Sequence, residues 1–145
     1  MNCVAHGAGM IIEGNTKKKV YHVFWNFREQ YEYAFQYCSS ISNITLPSTV
    51  NSIGGYAFAN CSSLLSMNIP YGVTIINDYT FNDCSSITSI TIPNTVVELC
   101  YFAFYQCISL PSIEIPISVR TFGACVFENC SSLINITYQF HLNRA

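Results

Sequence analysis

The sequence predicts a repeat solenoid, with short parallel β-strands on one face and short helical or 3₁₀ turns, or irregular structure, on the other. The first observation is a five-residue segment, mostly Ala-Phe-x-x-Cys, that recurs at a constant step of 23 residues. Its cysteines are Cys38, Cys61, Cys84, Cys107 and Cys130. The second observation is that columns of apolar residues keep the same step. An unbroken period of this length is typical of solenoids, and the chain has room for about five to six such coils.

Apolar residues alternate along one part of each coil, which is the period of a strand with one buried face. One such column consists of Ile44, Met67, Ile90, Ile113 and Ile136. Four coils continue with a second apolar residue and a proline, which lacks an N–H donor and therefore suits the end of a strand. The pattern predicts strands in register, roughly 4.8 Å apart in one parallel sheet. We place them around residues 43–46, 66–69, 89–92, 112–115 and 135–138.

The rest of each coil must cross the solenoid and return. A Val-x-x-Ile stretch such as residues 73–76 runs across, and small residues such as Gly54 and Gly55 mark the next turn. Ala-Phe-x-x-Cys suits one turn of helix or 3₁₀ that points phenylalanine and cysteine inward. Ser-Ser pairs then turn the chain back, since their hydroxyls can bind local backbone groups.

The whole unit, Leu-x-x-Ile-x-Ile-Pro-x-x-Val-x-x-Ile-Gly-x-x-Ala-Phe-x-x-Cys-Ser-Ser, resembles the BspA-like, treponemal-type leucine-rich repeat. The resemblance covers about residues 30–140. It implies a leucine-rich-repeat solenoid that binds proteins, and members of that family are often cell-surface adhesins or antigens that contact host matrix or other cells. Commoner leucine-rich repeats place asparagine after the strand, where its amide bridges coils. Here that position holds Thr49, Gly72, Thr95 and Ser118, so we expect the phenylalanine and cysteine columns to carry more of the stacking.

The repeat also divides the chain. Residues 1–19 form a non-repeat N-terminal segment, and residues 20–145 form the solenoid. Within it, 20–37 is a degenerate first coil rich in aromatic residues, 38–130 holds the regular coils and 131–145 begins an incomplete last coil. Counting back 23 residues places Tyr21 on the Ile44 column. We interpret the aromatic residues as a cap, with a ligand platform or membrane-interface belt as alternatives. The last coil has no cap, so either the natural protein continues beyond it or this coil pairs with another chain.

Composition restricts the partners. Half of the residues are hydrophobic, yet no run approaches the roughly 18 residues of a membrane helix, so we expect no membrane insertion. A net charge of −2 argues against nucleic acid or an anionic membrane as the main partner. Residues 1–16 lack a basic region before a short apolar patch and make a poor signal peptide. The resemblance implies a cell-surface or secreted protein, with the cytoplasm as the alternative.

Five of the eight cysteines follow the repeat. Equivalent residues of adjacent coils should lie about 5 Å apart, which is within disulfide reach. We nevertheless favour buried free thiols that act as small hydrophobic side chains. Cys3, Cys100 and Cys125 do not belong to this column. Cys125 stands where other coils have an aromatic residue, and it could pair with Cys100 of the preceding coil.

No residue pattern predicts catalysis, a metal site or a cofactor. The three histidines, His6, His22 and His141, lie outside the regular coils, and Cys3-x-x-His6 has no second ligand pair. The eight acidic residues are scattered, whereas solenoid hydrolases stack carboxylates in one column. We therefore expect a protein that is not an enzyme.

What remains is a polar strip on the outward side of the strands. Its first column is Thr45, Asn68, Thr91, Glu114 and Thr137, and its second is Asn43, Ser66, Ser89, Ser112 and Asn135. These residues either contact a partner or only keep the sheet soluble. Three hypotheses follow: a protein-binding surface module, an intracellular interaction scaffold, and a self-associating structural unit.

Overall fold

The computed structural model describes residues 9–13, 20–24 and 32–139, and only the backbone of the first two ranges. The described residues contain ten strands and no helix. No stretch among them could therefore cross a membrane as a helix. The strands are β1 (Gly9–Glu13), β2 (Val20–Phe24), β3 (Ile44–Thr45), β4 (Ser66–Asn68), β5 (Ile75–Ile76), β6 (Ser89–Thr91), β7 (Glu98–Leu99), β8 (Ser112–Pro116), β9 (Thr121–Phe122) and β10 (Asn135–Gln139).

The strands on the predicted face pair in parallel with a shift of 23 residues, which confirms the solenoid. β2 pairs with β3, β4 with β6, and β8 with β10. Tyr21 lies opposite Ile44, which is the register that the repeat predicts. The inward residues of β4, β6 and β8 are buried, and their neighbours within the strands are exposed except for Pro116 at the end of β8.

This face differs from the predicted single sheet, because its strand pairing is interrupted between β3 and β4 and again between β6 and β8. Before the strands, Leu65 N–H donates to Ser42 O (3.0 Å) and Thr88 N–H donates to Leu65 O (2.9 Å). The next coil has Pro111 at this position, which has no N–H to donate to Thr88. The ladder resumes where Ile134 N–H donates to Pro111 O (3.1 Å).

Two further pairings were not predicted. β5, β7 and β9 form a second parallel sheet where the Val-x-x-Ile stretch crosses the solenoid. Its strands have only two residues each, too few to show an alternating pattern. β1 pairs antiparallel with β2, from Gly9 opposite Phe24 to Glu13 opposite Val20. The sequence analysis expected no repeat before residue 20 and assigned no strand there.

The side opposite the strands consists of consecutive turns, so the irregular alternative describes it and the helical one does not. We call residues 33–37, 56–60, 79–83, 102–106 and 125–129 the turn segments. Each has positive φ at its first and last residue, for example 58° at Tyr56 and 61° at Asn60. Residues with left-handed φ interrupt a right-handed helix. In the turn segments, the N–H groups of alternate residues instead donate to carbonyls of the next coil. In one segment the N–H groups of Tyr56, Phe58 and Asn60 donate to the carbonyls of Asp78, Thr80 and Asn82 at 3.0, 2.9 and 2.7 Å.

The phenylalanine of each turn segment points into the core, and the five rings form one stack. Successive ring centroids lie 5.2, 5.4, 5.5 and 5.5 Å apart, with interplanar angles of 3–9°. The rings are Phe35, Phe58, Phe81, Phe104 and Phe127. The first four are completely buried, so equivalent residues of successive coils do lie over one another.

The cysteine column hydrogen-bonds across coils. Each thiol donates to the carbonyl of the phenylalanine 26 residues earlier, at 3.1, 3.2, 3.3 and 3.0 Å for Cys61, Cys84, Cys107 and Cys130. These four thiols are free. Cys38 is disulfide-bonded, so the free-thiol prediction is wrong at that position. Cysteine thus acts as a donor as well as an apolar side chain.

At two of the four positions where commoner leucine-rich repeats have asparagine, a hydroxyl group bonds one coil to the coil before it. Thr95 Oγ1 donates to Val73 O (2.9 Å) and Ser118 Oγ donates to Val96 O (2.6 Å), each in the coil before. The equivalent Gly72 has no such donor. A Cβ added there would lie 2.6 Å from Val50 O, so the close approach of the two coils requires glycine.

Candidate functional site

The ten strip residues lie where the sequence placed them. Nine are exposed and Asn43 is partly buried. Nine lie on strands β3, β4, β6, β8 and β10, and Asn43 precedes β3. Ser66 is opposite Ser89 and Asn68 opposite Thr91 on β4 and β6. Likewise, Ser112 is opposite Asn135 and Glu114 opposite Thr137 on β8 and β10, so the backbone aligns both columns within each of these two pairs of strands.

The side chains of the strip are available for hydrogen bonds. Asn43 Nδ2 donates to Ser42 Oγ (3.3 Å). The other nine have no side-chain hydrogen bond to any residue of the described ranges. The strip can therefore offer hydroxyls, amides and one carboxylate, that of Glu114, to a partner.

Large apolar residues border the strip, and the sequence analysis did not identify them. Leu65 and Ile134 precede strands β4 and β10, and Tyr71 and Ile117 follow the prolines at the ends of two strands. All four are exposed, and Tyr71 retains 72% of its accessible surface. Exposed tyrosine and aliphatic side chains at a polar surface are typical of interface anchors. The sequence did contain a signal for these four residues, because the equivalent positions of other coils hold polar residues: Ser42, Thr88, Ser48 and Asn94.

A second aromatic stack runs along the first positions of the turn segments. The rings of Tyr33, Tyr56, Tyr79 and Phe102 lie 5.1, 4.6 and 4.9 Å apart and nearly parallel. Because the rings cover one another's faces, mainly their edges and hydroxyls reach solvent. Burial, together with neighbouring Tyr79, Tyr33 and Asp78, raises the pKa of Tyr56. The stack stops at Cys125, which holds the next equivalent position.

Five of the six described free thiols have raised pKa values; the exception is Cys130, whose pKa is lowered by a hydrogen bond with Cys107. Burial raises the pKa of Cys61 to about 12 and raises the pKa of Cys84 well above its usual value. Partial burial, with the carboxylates of Glu98 and Asp78 nearby, raises the pKa of Cys100 to about 11. A hydrogen bond with Glu128 raises the pKa of exposed Cys125. Cys100 and Cys125 are both free, so the suggested pair is not a disulfide.

The described residues also contain no group of three His, Cys, Asp or Glu side chains placed to hold a metal ion. Cys3, His6 and His141 lie outside the described ranges, and only the backbone of His22 is described. The site that the structure does assemble is thus a surface, formed by the strip and its apolar border.

The family model for the BspA type leucine-rich repeat region matches residues 28–144, in six copies. The chain belongs to the BspA type leucine-rich repeat family. The match covers most of the sequence, and its copies agree with the 23-residue spacing of the stacked coils. Leucine-rich repeats of this type are generally protein-interaction modules. No curated protein matches the sequence.

Solved structures of bacterial leucine-rich repeat proteins resemble this BspA type chain. A leucine-rich repeat protein from Bacteroides ovatus is 26% identical with a TM-score of 0.73, over 94% of this chain and 41% of its own. The Treponema pallidum leucine-rich repeat protein is 23% identical with a TM-score of 0.72, over 94% of this chain and 71% of its own. A leucine-rich cell surface protein from Faecalibacterium prausnitzii is 20% identical with a TM-score of 0.59, over 97% of this chain and 55% of its own. The chain thus spans well under half of the Bacteroides ovatus structure.

Proposed function

We propose that this BspA type chain is a non-enzymatic protein-binding module and that the strip contacts its partner. The observation that carries the proposal is that nine aligned polar side chains have no hydrogen-bond partner in the described chain. Exposed apolar residues border them. A polar area with apolar anchors suits a protein surface, because anchors supply affinity and polar groups supply orientation.

The strip is nearly neutral, which limits the kind of partner. Glu114 is its one charged residue, so it has little charge to steer association over long distances. A partner would have to present hydrogen-bonding groups along the strip, a cation at Glu114 and an apolar pocket for Tyr71. We place such a partner on the cell surface or on host matrix, as for adhesins of this family.

A pulldown with the isolated domain, using matrix proteins and cell extract as sources, tests this role. The double variant Asn68→Ala/Glu114→Ala should weaken binding about ten-fold or more, since two central contacts are lost. The matched control is Asn51→Ala/Glu32→Ala, which removes one amide and one carboxylate from exposed positions away from the strip. Equal binding by wild type and the strip variant would refute the strip as the contact.

An intracellular scaffold built on the same surface is the rival. Its support is that four of the five column cysteines are free, because reducing compartments keep cysteines unpaired; the disulfide at Cys38 favours an oxidising exterior instead. Thiol labelling of protein unfolded without reductant separates the two: the structure predicts at least six free thiols. A count of eight would mean that the disulfide of Cys38 is absent and would favour the intracellular scaffold, whereas a count of six or fewer would favour an oxidising exterior.

End-on assembly is a second candidate role. Phe122, Ile136 and Tyr138 are exposed in the last described coil although their equivalents in earlier coils are buried. The sequence analysis proposed self-association through this coil. Sedimentation over a range of concentrations tests this self-association. A mass that rises with concentration in wild type and not in Ile136→Asp would establish contact between copies.

A further inference from the structure

The cysteine column places a free thiol in each of four successive coils, at Cys61, Cys84, Cys107 and Cys130. Each thiol donates to the equivalent phenylalanine carbonyl of the coil before, so the thiols follow the same register as the coils. Neighbouring hydrogen-bonded segments lie about 4.8 Å apart, and a disulfide joins Cα atoms about 4.4–6.8 Å apart. Adjacent thiols of the column are therefore within reach of a disulfide.

One adjacent pair is in closer contact than the others. The thiols of Cys107 and Cys130 share a hydrogen bond with each other. Cys84 interacts with Cys61 electrostatically, and no hydrogen bond joins the thiols of these two described residues. Cys107 is also the thiol farthest from its carbonyl acceptor, at 3.3 Å, whereas the corresponding distance for Cys130 is 3.0 Å. The Cys107 proton thus has a second acceptor in the sulfur of Cys130.

The shared hydrogen bond gives the two thiols different chemical roles. It lowers the pKa of Cys130, and together with burial it raises the pKa of Cys107. The thiolate is the reactive form of cysteine, so Cys130 is the nucleophile of the pair. Cys107 lies beside it as a second thiol. A cysteine of lowered pKa next to a resolving cysteine is the arrangement found in redox-sensitive pairs.

We propose that Cys107 and Cys130 are an oxidation site that closes to a disulfide when the chain meets a peroxide. The Cys130 thiolate attacks one peroxide oxygen and the O–O bond breaks. This leaves a sulfenic acid on Cys130 and a hydroxide, which takes up the proton lost from Cys130 and becomes water. The Cys107 sulfur then attacks the sulfenic sulfur, and the S–O bond breaks as the oxygen leaves with the Cys107 proton as a second water. Two thiols and one peroxide give one disulfide and two waters.

The disulfide joins two coils just ahead of strands that carry part of the strip. Cys107 lies five residues before β8, and Cys130 lies five residues before β10. The cross-link constrains the unfolded chain, and it limits how far these two coils can separate in the folded one. Oxidation should therefore make this part of the solenoid harder to unfold, and a dithiol reductant should reverse the change.

The test treats the full chain with hydrogen peroxide and then blocks the remaining thiols with N-ethylmaleimide. Chymotrypsin cuts after Tyr105 and Phe127, so mass spectrometry without reduction can identify a peptide that links Cys107 to Cys130. We expect that linked peptide, a loss of two from the six free thiols, and a melting temperature higher by about 4 °C or more. An unchanged thiol count, or a main link between Cys84 and Cys107, would overturn the proposal.

Two variants of one residue test the role of the shared hydrogen bond. Cys107→Ser keeps a hydroxyl donor for Cys130 but cannot form the disulfide, so dimedone should trap the sulfenic acid on Cys130. Cys107→Ala keeps neither, and its dimedone adduct should form about five-fold more slowly or less, because fewer Cys130 thiols are ionised. Cys61→Ser is the control from another coil and should leave the Cys107–Cys130 link unchanged. Equal trapping in both Cys107 variants would contradict the assigned roles.

Discussion

The first and last regular coils that the structure describes differ although their residues are of the same kind. Ile44 is 8% exposed in the first regular coil, and its equivalent Ile136 is 45% exposed in the last described one. Ile53 and its equivalent Phe122 are 2% and 44% exposed. The side chains are equally apolar, so the difference comes from whether a neighbouring coil lies on them. Burial in this protein is a property of the stack, and the free energy of unfolding should depend on position along it.

The largest expected effect compares the middle of the phenylalanine stack with its end. Phe81→Ala should lower the free energy of unfolding by ~3–5 kcal/mol, because Phe81 is buried between two rings. Phe127→Ala should cost about half as much, since Phe127 stacks on one described ring. Urea denaturation followed by circular dichroism measures both. Equal losses would mean that the last ring is as well covered as the central one.

The cysteine column allows the same comparison between a middle coil and the last described coil, with a smaller expected loss in the free energy of unfolding. Cys84→Ala removes the donor to Phe58 O and leaves a buried carbonyl with one fewer partner, which should cost about 1–2 kcal/mol. Cys130→Ala should cost less, because water can reach the last coil and replace the thiol. Thermal melts under reducing conditions give the order. A larger loss for Cys130 would contradict the comparison.

The buried thiols also predict how stability depends on pH. Burial raises the pKa of Cys61 to about 12 in the folded chain, against an ordinary pKa of 9.0 for an exposed thiol. The stabilisation is fully present below pH 9 and is lost as the pH rises toward 12, because the unfolded chain ionises first. Unfolding at pH 8 and pH 10 should therefore differ by about 1 kcal/mol for this thiol. Cys61→Ala should reduce that difference, and an unchanged difference would assign it to other groups.

The smallest effect concerns the hydroxyls between coils. Ser118→Ala and Thr95→Val each remove one hydrogen bond to the preceding coil. Each should lower the free energy of unfolding by about 0.5–1.5 kcal/mol. Gly72→Ala serves as the opposite control, since its Cβ would meet Val50 O and destabilise by crowding. No change in either hydroxyl variant would indicate that water replaces these bonds.

The sequence could predict the strands, the parallel register and the phenylalanine stack because each is repeated at the same step. It could not predict the turn segments, since their left-handed positions hold residues such as Tyr56, Asp83 and Gln106 instead of glycine. Left-handed φ is uncommon in such residues, so composition carries no signal for it. The break at Pro111 and the hydroxyls of Thr95 and Ser118 were readable from the sequence, because a proline lacks a donor and a hydroxyl has one.

The strip was predictable as an exposed surface, because alternation along a strand determines which side chains point outward. Whether it binds a partner depends on the shape and chemistry of that partner, which a repeat pattern does not encode. The exposure of Tyr71 and Ile117 could have been suspected, since both depart from polar columns. Departures from a repeat are thus the more informative positions for function.

Each coil joins the next through the same set of groups: a turn-segment amide to a carbonyl, a thiol to a phenylalanine carbonyl, and a ring to a ring. Duplicating or removing 23 consecutive residues would therefore leave every junction matched, wherever the cut is made within the regular coils. Insertions of other lengths would shift all later columns out of alignment. Evolution can lengthen or shorten a protein of this design in whole coils, changing its reach while its cross-section stays the same.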